Sequence, residues 1–299
     1  MIDLETCARA VCQIARQAGA YIREERQRFS VDRVERKHAH DYVSYVDKGS
    51  EQLIVSALRE LLPEAGFVTE EGTTLMADAG SQKSEPSFLN PQPSSLCWVV
   101  DPLDGTTNFI HQYAPYCVSI ALLQGATVLV GVVYEICADE CYYAWKGGGA
   151  YLEMSNEKGE MRNEKGEMRN VPLRVSHVVI EDALLCLQLP YNSEAYKPVV
   201  SHLIDTFYGH AASIRMIGSA AMALCYVAAG RLDGYAEQFI GRWDYMAGSL
   251  IVMEAGGVVT DYSGSTDFTC GNSIVATNGL VHQDLLEAIS QTINSSFAC

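Results

Sequence analysis

The sequence predicts an α+β fold, and three observations carry that prediction. Residues 3–28 place Leu4, Val11, Ile14, Ala18 and Ile22 at helical spacing with charges between them, the pattern of an amphipathic helix. Residues 117–124, 127–135 and 141–145 are apolar, β-branched and aromatic runs joined by Gly125-Ala126 and Ala138-Asp139-Glu140. Turns that short join neighbouring antiparallel strands, so the middle of the chain reads as a meander. From Val171 onward, short apolar strands alternate with helices. The chain has 299 residues, 48% hydrophobic and 19% charged. That suffices for a sizeable core in one large domain, with an N-terminal half at 1–180 and a C-terminal half at 181–299.

Composition also excludes functions. The net charge of −16 argues against nucleic acid or an anionic membrane surface as a partner. A small anionic substrate stays open if a metal inverts the local field. No apolar run reaches the roughly 18 residues that a membrane helix needs. The acidic start Met1-Ile2-Asp3-Leu4-Glu5 is not a signal peptide. The ten cysteines form no C-x-x-C pair, and Cys97, Cys117, Cys186 and Cys225 sit inside apolar segments. Reduced thiols in a cytoplasmic protein are the expectation. A zinc site at Cys137 and Cys141 would need further ligands that the sequence does not offer.

Taken in order after the first helix, Tyr42, Val43, Tyr45 and Val46 favour an extended segment, and Asp47 begins a helix over 47–62. Asp47 reads either as its N-cap or as a carboxylate accepting a proton from a hydroxyl in a site. Phe67-Val68-Thr69 is a short strand ending on Glu70-Glu71-Gly72; two adjacent glutamates alone are ordinary solvated charge. Residues 73–96 are rich in Ser, Pro and Gly and read as a long surface loop.

Leu96 to Val100 is then a buried strand that ends on Asp101. Pro102 bars helix and sets a turn, and Gly105 lets the backbone bend tightly. Two carboxylates, Asp101 and Asp104, therefore lie at a strand mouth. Clustered carboxylates attract a hard cation such as Mg²⁺, and bare N–H groups over Gly105-Thr106-Thr107 attract phosphate. A D-x-x-D-G string by itself is also an ordinary surface turn.

Beyond the meander, Gly147-Gly148-Gly149 ends the strand run without the lysine of a nucleotide loop. Residues 156–162 repeat identically as 163–169, a small duplication suited to a tolerant surface loop. The C-terminal half reads as a strand at 183–189, a helix including 201–208, a strand and turn at 213–219, and a small-residue helix at 220–229. A strand at 231–237 follows. A helix then opens at Trp243-Asp244 and stops at Gly256-Gly257. Strands at 258–261 and 273–277 and a helix at 281–293 complete the chain. Capping alone would explain Asp244 at a helix N-terminus.

The string Trp98-Val-Val-Asp-Pro-Leu-Asp-Gly-Thr-Thr-Asn-Phe109 resembles the metal-and-phosphate loop of the inositol monophosphatase family, lithium-sensitive Mg²⁺-dependent sugar phosphatases. Lys37-x-x-x-Asp41-x-Val43-x-x-x-Asp47 resembles another of its segments, with Ser44 where Thr is usual. Glu70-Glu71 resembles its G-E-E, with Thr69 for Gly. Arg215-x-x-Gly218-Ser219-Ala220-Ala221 resembles its R-x-x-G-S/T-A-A. Trp243-Asp244-x-x-Ala247-Gly248 followed by Glu254-Ala-Gly-Gly resembles its second signature, with Met246 where a small residue is commoner.

The resemblance covers nearly the whole chain and implies a layered αβαβα sandwich of the inositol monophosphatase / fructose bisphosphatase type, assembled as a homodimer. It implies two to three Mg²⁺ ions held by Glu70, Asp101, the Leu103 carbonyl, Asp104 and Asp244. It makes Asp47, Glu70 and Thr106 catalytic, with Thr106 polarised by Asp47. It gives substrate contacts to Gly105, Thr106, Ala220, Glu237 and Asp244. The implied substrate is a small phosphate monoester, inositol monophosphate or a similar sugar or polyol phosphate. Thr107-Asn108 follows the inositol phosphatase pattern rather than that of 3′-phosphonucleotide phosphatases. Adenosine 3′,5′-bisphosphate and fructose 1,6-bisphosphate are weaker alternatives, and a catalytically silent metal-binding scaffold is a third.

Overall fold

The computed structural model describes residues 2–29, 34–38, 41–72, 96–154, 170–189, 193–269 and 272–296. The long Ser/Pro/Gly-rich loop and the duplicated heptad lie outside them, apart from Leu96. Five layers follow one another, helices alternating with sheets.

The first layer is α1 (Leu4–Arg28) with α2 (Tyr45–Leu61). The buried side of α1 is Cys7, Ala8, Val11, Cys12, Ile14, Ala15, Ala18 and Ile22, the three-and-four spacing of a one-sided apolar stripe. That stripe packs on a seven-stranded sheet whose strands are β3 (Gly66–Thr69), β4 (Leu96–Asp104), β5 (Cys117–Gln124), β6 (Thr127–Glu135), β7 (Glu140–Trp145), β8 (Gly149–Glu153) and β9 (Asn170–Pro172), in that spatial order. β3 and β4 are parallel, and every later neighbour is antiparallel. A separate hairpin of β1 (Val34–His38) and β2 (Asp41–Ser44) precedes α2.

The middle layer is α5 (Ala220–Ala228) and α6 (Arg242–Glu254). Eight consecutive residues of α6, Tyr245 to Val252, are buried. A helix apolar all round can only lie between two packed surfaces, here the two sheets. Its approach to β6 is close: a Cβ at Gly131 would stand 2.5 Å from the Ala247 carbonyl oxygen. The second sheet has five strands in the order β11 (Ser213–Arg215), β10 (Leu184–Leu187), β12 (Gly234–Gln238), β14 (Ser273–Thr277) and β13 (Val258–Thr260). α4 (Ser193–Phe207) and α7 (His282–Ser296) cover its outer face. This is the layered αβαβα sandwich that the motifs implied.

Several boundaries differ from the sequence reading. The helix expected at Asp47 begins at Tyr45 with Ser44 as its N-cap, so Asp47 is its third residue rather than the cap. The strand expected to end on Asp101 runs on to Asp104, with a register shift against β5 between those residues. Pro102 is therefore tolerated inside a strand at a bulge, where no ladder hydrogen bond is asked of it. The triple glycine does not end the meander; it turns β7 into β8, and β9 adds a further strand. α4 contains the expected 201–207, ends at Phe207, and extends back to Ser193 with Pro198 inside it.

Candidate active site

The bulge in β4 sets the site. After the ladder breaks at Asp101, the chain turns so that the Leu103 N–H donates to Asp101 Oδ1 over 2.9 Å. Ser50 of α2 fixes the bulge by donating to the Pro102 carbonyl over 2.9 Å. Gly105 follows with φ +86°, a left-handed conformation that suits glycine. A Cβ there would lie 3.1 Å from the Pro115 carbonyl. Gly105 caps the short helix α3 (Thr106–Ile110). The first N–H groups of a helix have no intrahelical acceptor, and these open beside the carboxylates. Asn108 anchors the loop to the second sheet's connection, donating to the Pro115 and Ile217 carbonyls at 2.8 Å each.

A cavity of about 170 Å³ lies above the bulge, lined by Glu70, Asp101, Leu103, Asp104, Gly105, Thr106, Phe239, Gly241, Trp243 and Asp244. One carboxylate oxygen from each of Asp101, Asp104 and Asp244 lies within 4.8 Å of the others. These carboxylates come from different layers. Asp104 belongs to the first sheet, yet its Oδ2 accepts from Ser219 Oγ at 2.6 Å and the Ala221 N–H at 2.8 Å, both at the start of α5. Asp244 is the third residue of α6, and its Oδ2 accepts from the Gly241 N–H at 2.7 Å. Glu70 follows β3, where the neighbouring Glu71 N–H donates to buried Glu51 of α2 over 2.8 Å. A larger cavity of about 620 Å³ lines the far edge of the second sheet, around Tyr208 and Met216. It holds none of these carboxylates.

The electrostatics are unfavourable without a cation. Burial first, and then the charges of Glu70, Asp104 and Asp244, hold the Asp101 carboxyl well above its ordinary range. Asp244 is pushed up by burial and then by Asp104, Glu70 and Glu237. Asp104 is raised by burial, against the hydrogen bonds from Ser219 and Ala221. Among the described residues, no Lys, Arg or His lines the cavity. A largely buried cluster of hard oxygen donors with no cation among the described lining residues fits Mg²⁺ or a similar ion.

Asp47 and Thr106 meet. Thr106 Oγ1 lies 3.0 Å from Asp47 Oδ1 and 3.0 Å from the Leu103 carbonyl. Asp47 Oδ2 is fixed by the Ser44 N–H at 2.9 Å and Ser44 Oγ at 2.6 Å. Asp47 thus completes a capping box and also accepts from the loop hydroxyl, so both readings left open by the sequence describe part of its role. Ala220 and Glu237 do not line the cavity. Glu237 accepts from Tyr235 OH over 2.6 Å, and burial, with Asp104 adding to it, raises its carboxyl to about 7.

The whole chain from residue 3 to 295 matches the model of the inositol monophosphatase family. The chain belongs to the inositol monophosphatase family. An inositol-1-monophosphatase of Mesorhizobium japonicum is 32% identical over 284 residues, 95% of this chain and 96% of that one. A Nus factor SuhB of Vibrio cholerae is 30% identical over 283 residues, 94% of this chain and 95% of that one. The solved structure of extragenic suppressor protein suhB from Bartonella henselae superposes with a TM-score of 0.78 at 31% identity, covering 96% of this chain and 99% of the other. This family membership agrees with metal-dependent chemistry at the acidic cluster.

Some partners in this site carried no warning in the sequence. Ser219 was legible only as part of a motif, and its bond to Asp104 depends on the docking of α5. Glu51, Phe239 and Gly241 gave no signal, because an isolated Glu on a helix or an aromatic after a strand is ordinary. Ser50 was equally silent. Only the assembled layers bring them to the bulge.

Proposed function

We propose that this protein is a Mg²⁺-dependent phosphomonoesterase acting on inositol monophosphate or a similar sugar or polyol monophosphate. The observation that carries this reading is the cluster of buried Asp101 and Asp104 with half-buried Asp244 beside the turn at Gly105 and Thr106. Asp101, Asp104, Asp244, Glu70 and the Leu103 carbonyl would hold the ions. When bound, Mg²⁺ neutralises phosphate oxygens and makes a coordinated water more acidic.

The chain's own groups then do the rest. The N–H groups of Gly105 and Thr106 bind the phosphate oxygens. Thr106 Oγ1 has one proton and two acceptors within 3.0 Å. With that proton directed to Asp47, the oxygen is free to accept from the attacking water. Glu70, on the same cavity wall, takes part in orienting and deprotonating that water. Ser44 keeps Asp47 from turning away. Ala220 and Glu237, given polyol contacts by the resemblance, stand outside the cavity lining, and they would meet the polyol only where it extends past that lining, a carboxylate suiting vicinal hydroxyls. Asp101 and Asp104 serve as ligands, so no phosphoryl group passes through them. The functional assembly is a homodimer.

The test is phosphate release from inositol 1-phosphate, fructose 1,6-bisphosphate, adenosine 3′,5′-bisphosphate and histidinol phosphate, each with Mg²⁺ and with chelator. Turnover strongest on inositol 1-phosphate, lost with chelator and in Asp101→Asn, is the expected result. Activity on another of the four moves the substrate and keeps the mechanism. Metal binding with no phosphate release from any of them sinks the enzymatic reading. That result would bring forward the second reading, a catalytically silent metal-binding scaffold, which the relatives named Nus factor SuhB rather than phosphatase keep in view.

A further inference from the structure

Phe239 is costly where it stands. Its backbone has φ +60°, a left-handed conformation that a bulky side chain rarely adopts. The residue is also 42% exposed, so burial does not compensate for the strain. An outlier of this kind points to function when the structure around it holds it in place. Two things hold it. The Tyr196 ring of α4, itself buried, meets it edge to face at 86°. The segment that follows is fixed by the Gly241 N–H to Asp244 bond.

The ring faces the acidic cavity and shares its lining with Glu70, Asp101, Thr106, Trp243 and Asp244. The cavity therefore combines a floor of carboxylates with two aromatic residues, Trp243 and the exposed Phe239. Phosphate bound at Gly105 and Thr106 leaves its ester group to extend towards the mouth. A phenyl face offers that group no hydrogen bond. It rewards carbon surface and penalises strongly hydrated groups.

We propose that Phe239, braced by Tyr196, is a specificity-determining residue: it selects phosphomonoesters whose leaving group presents the carbon-lined face of a ring over esters of acyclic polyols. This deepens the phosphomonoesterase reading and rests on it. The test compares inositol 1-phosphate with glycerol 2-phosphate, with Mg²⁺ present, in wild type, Phe239→Gly and Phe239→Tyr. Glycine tolerates the left-handed backbone, so the first variant removes the ring without adding strain. The ratio of kcat/KM for the ring ester over the acyclic ester is expected to fall about tenfold in Phe239→Gly, mainly through KM, and to return in Phe239→Tyr. A merely structural role would lower both esters together. An unchanged ratio in a folded Phe239→Gly protein overturns the proposal. Wild type that turns over neither ester overturns the phosphatase reading instead. In that case calorimetric binding of the two esters decides the ring preference: a selective loss for inositol 1-phosphate in Phe239→Gly sustains it, and equal binding ends it.

Discussion

At the scale of single residues, Asp101 concentrates the conflict of the site. It is 1% exposed and surrounded by the charges of Glu70, Asp104 and Asp244. Asp101→Asn keeps the shape and removes the charge, so calorimetry should show weakened Mg²⁺ binding. Phosphate release should fall by about a hundredfold or more. Thr106 is expected to divide cleanly by chemistry. Thr106→Ser keeps the hydroxyl and should stay within a few-fold of wild type. Thr106→Val should lose about 10²-fold to 10⁴-fold in kcat, the usual range for a positioned proton acceptor; equal activity in the two would remove the hydroxyl from the mechanism. Phe239→Gly gains by relief of a left-handed strain of about 1–2 kcal/mol. It loses an aromatic contact of about 0.5–1.5 kcal/mol and about 1 kcal/mol of chain entropy. These nearly cancel, so its melting temperature should lie within about 3 °C of wild type. The two long signatures made Asp101, Asp104 and Asp244 legible, because carboxylates at a strand mouth and a helix start are local patterns. Phe239 was not legible, since its cost lies in a backbone angle that no residue type announces.

At the scale of elements, α2 and α6 act as brackets for the loop. α2 supplies Ser50 to the Pro102 carbonyl and Glu51 to the Glu71 N–H, and its capping box sets Asp47. Ser44→Ala should cost about 1 kcal/mol as a lost cap, read as a melting temperature lower by about 2–4 °C, with kcat reduced because Asp47 is freed. α6 depends on a missing side chain. A methyl at position 131 meets the Ala247 backbone, and backbone cannot move aside as a flexible side chain can. Gly131→Ala should destabilise by about 1–3 kcal/mol and displace Asp244, weakening Mg²⁺ binding measured by calorimetry. Element types were well read from periodicity: β5, β6 and β14 fall at the expected residues. The errors lie where one local rule met a tertiary override. Proline suggested a turn at 102, but a bulge let the strand continue; three glycines suggested an end, but they form a hairpin turn.

At the scale of the molecule, the order of layers was beyond periodicity and came from the family motifs, although the all-round apolar α6 marks the middle layer in physical terms. Burial of uncompensated carboxylates there makes stability depend on pH. The Glu237 carboxyl rises from 4.5 to about 7 on folding, so the folded state holds that proton more tightly than the unfolded chain. Its stabilising contribution is complete below pH 4.5 and is lost as pH rises through about 7. Asp101, Asp104 and Asp244 shift in the same direction. In chelator, the melting temperature should therefore fall between about pH 5 and about pH 7.5, with a shallower fall in Mg²⁺. A rise over that interval in chelator would contradict the arrangement. The bonds from Ser219 and Ala221 to Asp104 reach further than ligand geometry. A carboxylate grown from the first sheet is completed by a helix of the middle layer, so a chain whose layers have slid apart has no intact carboxylate cluster. Occupancy would then certify assembly: for one Mg²⁺ site, each tenfold of free ion above its dissociation constant would add about 1.4 kcal/mol to the stability of the assembled fold. An ion held there would be a clasp as well as a reagent, and a protease should find the joint between the layers harder to enter as Mg²⁺ rises.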